Sequence, residues 1–234
     1  MTARCFLTAQ AHMGDKKGRA LLAALLGDAT ALRACYIGGA HGDDPGFTKR
    51  EVTQLQALGL TVVAPRLSDP SLDRAAAAAA IAEADLLYLA GGDTVVLCDA
   101  VRDHDLGAAF AAAHAHARLV YGVSGGTCAM APYTIGYRDD DTPYVAACLG
   151  LGAPLPLDVH DEAEDWPELR ALLELVQDRP DAAGIAIPSG AALIVEADGS
   201  LTSYGRRGCE RRRLDAAGAW IIEPIAPTAW APPA

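Results

Sequence analysis

The sequence is poor in aromatic residues, carries no excess of positive charge and contains no long apolar run. Aromatics are 6% of its 234 residues while hydrophobic residues reach 51%, so the core must be assembled mainly from Ala, Leu, Val and Ile, and disorder is not expected. Nineteen Lys and Arg stand against 30 Asp and Glu, a formal charge of -11 that repels phosphate backbones and anionic lipid. Neither nucleic acid nor a membrane surface is therefore an expected partner. No stretch supplies the roughly 20 consecutive apolar residues of a membrane span, and the opening MTARCFLTAQ lacks the longer apolar run and small-residue cleavage site of a secretory signal. Six cysteines occur without a CxxC pair and read as reduced core residues of a cytoplasmic protein, with no metal centre and no cofactor expected.

What is present is a regular alternation of short apolar runs and helical stretches, the pattern of a mostly parallel sheet covered by helices on both faces. Strands are expected at Arg4–Thr8, Arg33–Ile37, Thr61–Pro65, Asp85–Leu89, Arg118–Val123 and Gly184–Ile187. Helices are expected around Lys16–Leu26, Thr48–Leu58, Leu72–Ala84, Thr94–Val101 and Leu106–His116. After residue 180 two β-type runs, Ala191–Glu196 and Leu201–Tyr204, flank the turn Ala197-Asp198-Gly199-Ser200 and predict a hairpin at the sheet edge. The expected fold is a single α/β domain over residues 1–234, a three-layer doubly wound sheet with a C-terminal β-hairpin edge, ending in an irregular strap at 226–234.

In such a sheet the turns at the carboxyl ends of strands form the ligand crevice. One glycine-bearing turn is Ala90-Gly91-Gly92-Asp93-Thr94; the other is Gly122-Val123-Ser124-Gly125-Gly126-Thr127. The second fits a G-x-S-x-G nucleophile elbow, in which a strand delivers a serine into a sharp turn and a helix follows at once. Glycines suit it because the backbone is strained there and no side chain can crowd the hydroxyl. Gly92 and Gly125 are candidate oxyanion-hole donors, although Asp93 or Thr94 also fits simply as a helix N-cap. Neither phosphate-loop spacing, G-x-x-x-x-G-K-[ST] or G-x-G-x-x-G, is present. A serine needs a base. Of His12, His41, His104, His114, His116 and His160, the last closes the run Leu155–His160 at a strand end and is the best candidate, while His104, His114 and His116 read as solvated.

These stretches, with Asp140-Asp141-Thr142-Pro143 and Leu149-Gly150-Leu151-Gly152 leading to His160, resemble the peptidase E (aspartyl dipeptidase) and cyanophycinase group of serine peptidases, family S51, whose fold is similar to class I glutamine amidotransferases. The resemblance covers about residues 30 to 205 in family order. It implies a serine hydrolase acting on a small peptide or amide, with Ser124 as nucleophile, His160 as general base, and Gly92 and Gly125 as the oxyanion hole. It also implies Asp141 as a site acid and Gly91, Asp93, Thr94, Ser189 and Arg170 as substrate contacts. Homodimerisation is compatible with it.

Two departures stand out. The elbow reads Ser-Gly-Gly-Thr where the family prefers Ser-Ala-Gly-Ala, and Ser189 occupies the place of the family's triad glutamate. The chain then borrows Asp141, Asp158 or Glu162 to orient the imidazole, works slowly, or binds a ligand without turnover. The run Asp161–Asp165 reads either as a solvated helix start or as a site that disfavours carboxylate substrates. A metal site from Asp158, His160, Asp161 and Glu162 is disfavoured because alternate strand residues face opposite ways. A glutamine amidotransferase is remote, since it requires cysteine at 124 and Cys128 lies one helical turn beyond.

Overall fold

The computed structural model describes residues 3–11, 16–27, 31–179, 182–205 and 207–227; His12 and residues 228–234 of the expected strap lie outside them. The first half alternates β1 (Arg4–Thr8), α1 (Lys16–Leu26), β2 (Arg33–Ile37), α2 (Pro45–Ala57), β3 (Thr61–Val63), α3 (Arg74–Ala82), β4 (Leu86–Leu89), α4 (Thr94–Asp103), α5 (Gly107–His116) and β5 (Leu119–Val123). A one-turn helix α6 (Gly125–Cys128), the hairpin β6 (Tyr133–Tyr137) and β7 (Pro143–Ala147), β8 (Leu157–Val159), α7 (Pro167–Leu175) and β9 (Gly184–Ile187) follow. The chain closes with β10 (Ala192–Val195), β11 (Leu201–Tyr204), β12 (Cys209–Leu214) and β13 (Trp220–Ile225).

Seven strands form the main sheet in the order β11-β10-β1-β5-β4-β2-β3, parallel from β1 to β3 and antiparallel at β10 and β11. Its inner strands β10, β1, β5, β4 and β2 are buried on both faces, which is why they read as unbroken apolar runs, whereas the edge strand β3 is partly exposed. Alternate residues then supply two cores: Phe6, Tyr36, Tyr88 and Tyr121 pack on one side with Leu22 and Leu55, whereas Leu7, Ile37, Leu87 and Val120 pack on the other with Ile81 and Phe110. Four of the aromatics form a row across this sheet. Phe6, Tyr121, Tyr88 and Tyr36 are cross-strand neighbours with ring centroids 4.9, 4.8 and 5.2 Å apart in succession.

Helix starts differ from expectation where a cap overrides the apolar periodicity. Asp44 accepts from the N–H groups of Gly46 and Phe47, and with Pro45 at the first position it starts α2 three residues before Thr48. Asp73 likewise accepts from Ala76 N–H and starts α3 at Arg74 rather than Leu72.

The largest correction concerns β9. It was expected in the main sheet but pairs with β8 in parallel and β12 antiparallel, within a separate four-stranded sheet ordered β13-β12-β9-β8. The β8–α7–β9 crossover packs α7 against this second sheet through Trp166, Leu169, Leu173 and Ala186. The predicted hairpin is β10–β11, and it does form the edge. All six cysteines are free, five of them buried. Among the described residues no helix is long and apolar enough to cross a membrane.

Candidate active site

Strand β5 ends at Val123 and places Ser124 at φ 49°, ψ -122°, a backbone conformation strained for a side-chain-bearing residue. Packing holds it there. A Cβ on Gly125 would lie 1.9 Å from Gly92 O, one on Gly126 would lie 2.3 Å from Leu89 O, and one on Gly122 would lie 2.7 Å from Thr127 Cα. The elbow therefore presses directly on the Leu89–Gly92 turn, and only glycine permits the approach. Thr127 locks the elbow to β1: its hydroxyl donates to Thr8 O at 2.8 Å and accepts from Thr8 N–H at 3.0 Å, while Ser124 N–H donates to Thr8 O at 2.9 Å. The Thr94 hydroxyl donates to Gly125 O at 3.1 Å and ties the elbow to α4.

The helix behind the serine is shorter than expected. With only Gly125–Cys128 in α6, its macrodipole is small, and individual N–H groups matter more. Neither Gly92 N–H nor Gly125 N–H has an acceptor among the described residues, so both are available to an oxyanion. Gly92, at φ 136°, leaves no room for a side chain against Ala40 O. A Cβ on Gly91 would sit 3.1 Å from that of Ser124.

The imidazole arrives from the other sheet. Strand β8 stops at Val159, His160 turns at φ 54° with its N–H donating to Ile187 O, and its Nε2 lies 3.0 Å from Ser124 Oγ. For Nε2 to accept the hydroxyl proton the ring proton must sit on Nδ1. No described residue hydrogen-bonds Nδ1. Ser189 instead gives its N–H to the Glu162 carboxylate at 3.2 and 3.3 Å. Burial works against the Glu162 charge, but hydrogen bonds from its own backbone and from Ser189, with Arg207 at 3.9 Å, outweigh it and hold the carboxyl below its usual value.

Three carboxylates converge beside this pair. Oxygens of Asp158, Asp161 and Glu168 all lie within 4.8 Å of one another. Asp158 is 6% exposed and accepts from the N–H groups of Val159 and Leu169, so it caps α7, whose own N-cap residue Trp166 makes no side-chain cap. Burial, then Asp161 and Glu168, push the Asp158 carboxyl up to about 7. Burial likewise raises Glu168 and Asp161, against a lowering by the nearby His160.

Several expected contacts are differently employed. Asp93 caps α4 through Val95 and Val96 N–H, the plain reading of that residue. Asp141 lies in the exposed β6–β7 turn at φ 61°, with its N–H on Arg138 O and no side-chain bond into the site. Arg170 is a correction: its guanidinium stacks 4.4 Å over Trp220, donates to Gly218 O and faces Asp165 at 3.7 Å, so it fastens α7 to the β12–β13 hairpin. The run Asp161–Asp165 is not a helix start either, because Asp165 and Trp166 have positive φ and α7 begins at Pro167. Glu168 went unnoticed in the sequence, where a first-turn acid is ordinary.

The model of peptidase family S51 matches residues 6–202. Among solved structures, a peptidase from an acI-B1 actinobacterium superposes with a TM-score of 0.71 at 16% identity, over 95% of this chain and 98% of that one. A peptidase E candidate from Listeria monocytogenes EGD-e gives a TM-score of 0.65 at 15% identity, over 88% and 99%. No curated protein matches the sequence. The chain belongs to peptidase family S51.

Proposed function

We propose that the chain is a serine peptidase or amidase that cleaves a small peptide or amide through an acyl-enzyme on Ser124. The observation that carries this reading is the 3.0 Å contact between Ser124 Oγ and His160 Nε2 beside two unengaged glycine amides. His160 Nε2 takes the hydroxyl proton as Oγ bonds to the scissile carbonyl carbon, and the carbonyl oxygen, now negative, rests on Gly92 and Gly125 N–H. Collapse breaks the C–N bond as the imidazolium protonates the departing amine. Water, deprotonated by the same ring, then releases the acid and restores the serine.

The third member differs from a full triad. With no described carboxylate on Nδ1, the acids that interact with the ring are Asp161 and Glu168, whose carboxyls burial raises and His160 lowers. Losing a directly bonded triad carboxylate costs about 10⁴ in kcat, so slow turnover is expected. A ligand-binding protein without turnover is the second reading, favoured by the same unpartnered Nδ1. Six free cysteines suit a reducing cytoplasm. Intact-mass analysis after a fluorophosphonate probe tests the proposal: one adduct, lost in Ser124→Ala, is expected, and folded protein that stays unlabelled would refute it.

A further inference from the structure

Two hollows of opposite chemistry meet at Gly92. One, of about 330 Å³, holds Ser124 itself and is walled by Tyr36, Phe47 and Tyr88, with Arg50 and Glu51 paired at 2.9 Å. The other, of about 370 Å³, is lined by Asp93, Asp158, Glu168, Tyr137 and Tyr144, and no Lys, Arg or His lines it among the described residues. Arg138 lies over Tyr144, 5.1 Å from its ring centroid, without lining the hollow.

No Lys or Arg pairs with the carboxylates of this second hollow among the described residues, although His160 acts on Glu168 from nearby. None of the ion pairs among the described residues uses Asp93, Asp158, Asp161 or Glu168. The α7 N-terminus offsets part of the charge on Asp158. What remains is a negative potential held against two phenol rings, and rings of this kind also attract cations. Because the hollow shares Gly92 with the nucleophile's cleft, whatever the serine attacks is within reach of it.

We infer that the carboxylate hollow beside Gly92 seats an alkylammonium group of the substrate, so that cationic small peptides are cleaved in preference to acidic ones. This rests on the hydrolase reading above and narrows its substrate class. An α-amino group and a basic side chain share the required chemistry, whereas a substrate carboxylate meets only like charge. Tyr137 and Tyr144 offer the ammonium the faces of their rings, and the aromatic hollow receives the neutral part of the peptide.

The test compares kcat/KM for Lys-Ala, Ala-Ala and Asp-Ala in EDTA, with acetyl-Lys-Ala and acetyl-Ala-Ala as controls. Lys-Ala is expected to exceed Asp-Ala on the order of 100-fold at low salt, with the ratio shrinking as salt is added. In Glu168→Gln that ratio falls about tenfold, a quantity from which any general loss of activity cancels. Retained cleavage of acetyl-Lys-Ala assigns the ammonium to the side chain; loss on acetylation of Ala-Ala assigns it to the α-amino group. Asp-Ala cleaved as well as Lys-Ala, or a ratio unmoved in Glu168→Gln, overturns the inference. Should Ser124 resist fluorophosphonate and no dipeptide be cut, the hydrolase reading fails by itself. Calorimetry on Ser124→Ala then decides this one, with lysinamide bound and succinamate not bound in its favour, and equal binding against it.

Discussion

Replacing Asp158 by Asn removes a buried ionisable group and should flatten the dependence of stability on pH. In the folded chain the Asp158 carboxyl is pushed up to about 7, while its ordinary value is 3.8. The sign follows from the raised direction. Between the two values the folded chain holds a proton that the unfolded chain has released, so stability is greatest below the lower value and declines until the upper one is passed. Each unit corresponds to about 1.4 kcal/mol, which gives a decline on the order of 4 kcal/mol across the whole window. Asn keeps one acceptor for Val159 or Leu169 N–H and loses the other, a pH-independent cost of about 1 kcal/mol. Urea unfolding of both proteins at steps from about pH 4 to about pH 8 reads the difference directly. The variant should gain on the parent as pH rises and, with a fixed cost of about 1 kcal/mol set against a decline of about 1.4 kcal/mol per unit, overtake it at about pH 5. A constant difference, or one that widens in the parent's favour, would refute the reasoning that burial and neighbouring acids dominate at this position.

Other substitutions separate site from scaffold. Gly125→Ala forces a methyl to 1.9 Å from Gly92 O, so fluorophosphonate labelling should slow about 100-fold or more while far-ultraviolet circular dichroism stays native. Thr127→Val leaves Thr8 N–H and C=O without their side-chain partner in the core, which should cost about 2 kcal/mol or more in urea unfolding. Arg170→Ala should lower stability by about 1–2 kcal/mol through lost stacking on Trp220, with the labelling rate of Ser124 unchanged; a large change in that rate would return Arg170 to the site.

The parallel half of the fold was legible because its strands are buried on both faces and separated by helices of ordinary length, so β1, β2 and α1 fall within the expected bounds. Ser124 was legible because glycines on both sides of a serine, between a strand and a helix, mark a strained turn that leaves its hydroxyl uncrowded. His160 was legible from its place at the end of the apolar run Leu155–His160, where a strand end delivers a side chain to the crevice, and the family pattern agreed with it. The second sheet was hidden for a physical reason: β12 reads CERRRL, and its Arg212 is buried by pairing with Glu210 and Asp165, a device that apolar periodicity does not register. His104 misled in a similar way, for it is tucked against Leu67 O at 2.9 Å rather than solvated. The carboxylate hollow depends on Asp158 and Glu168, ten positions apart on a strand and a helix, meeting only after α7 folds back.

The central claim is that one serine oxygen, activated across the gap between two sheets, attacks a carbonyl whose charge two glycine amides receive. A crystal structure of the fluorophosphonate-treated protein tests it most directly. The account predicts phosphorus bonded to Ser124 Oγ, its oxygen within hydrogen-bond reach of Gly92 and Gly125 N–H, and His160 Nε2 alongside. Phosphorus on another residue, or its oxygen turned away from both amides, would contradict it.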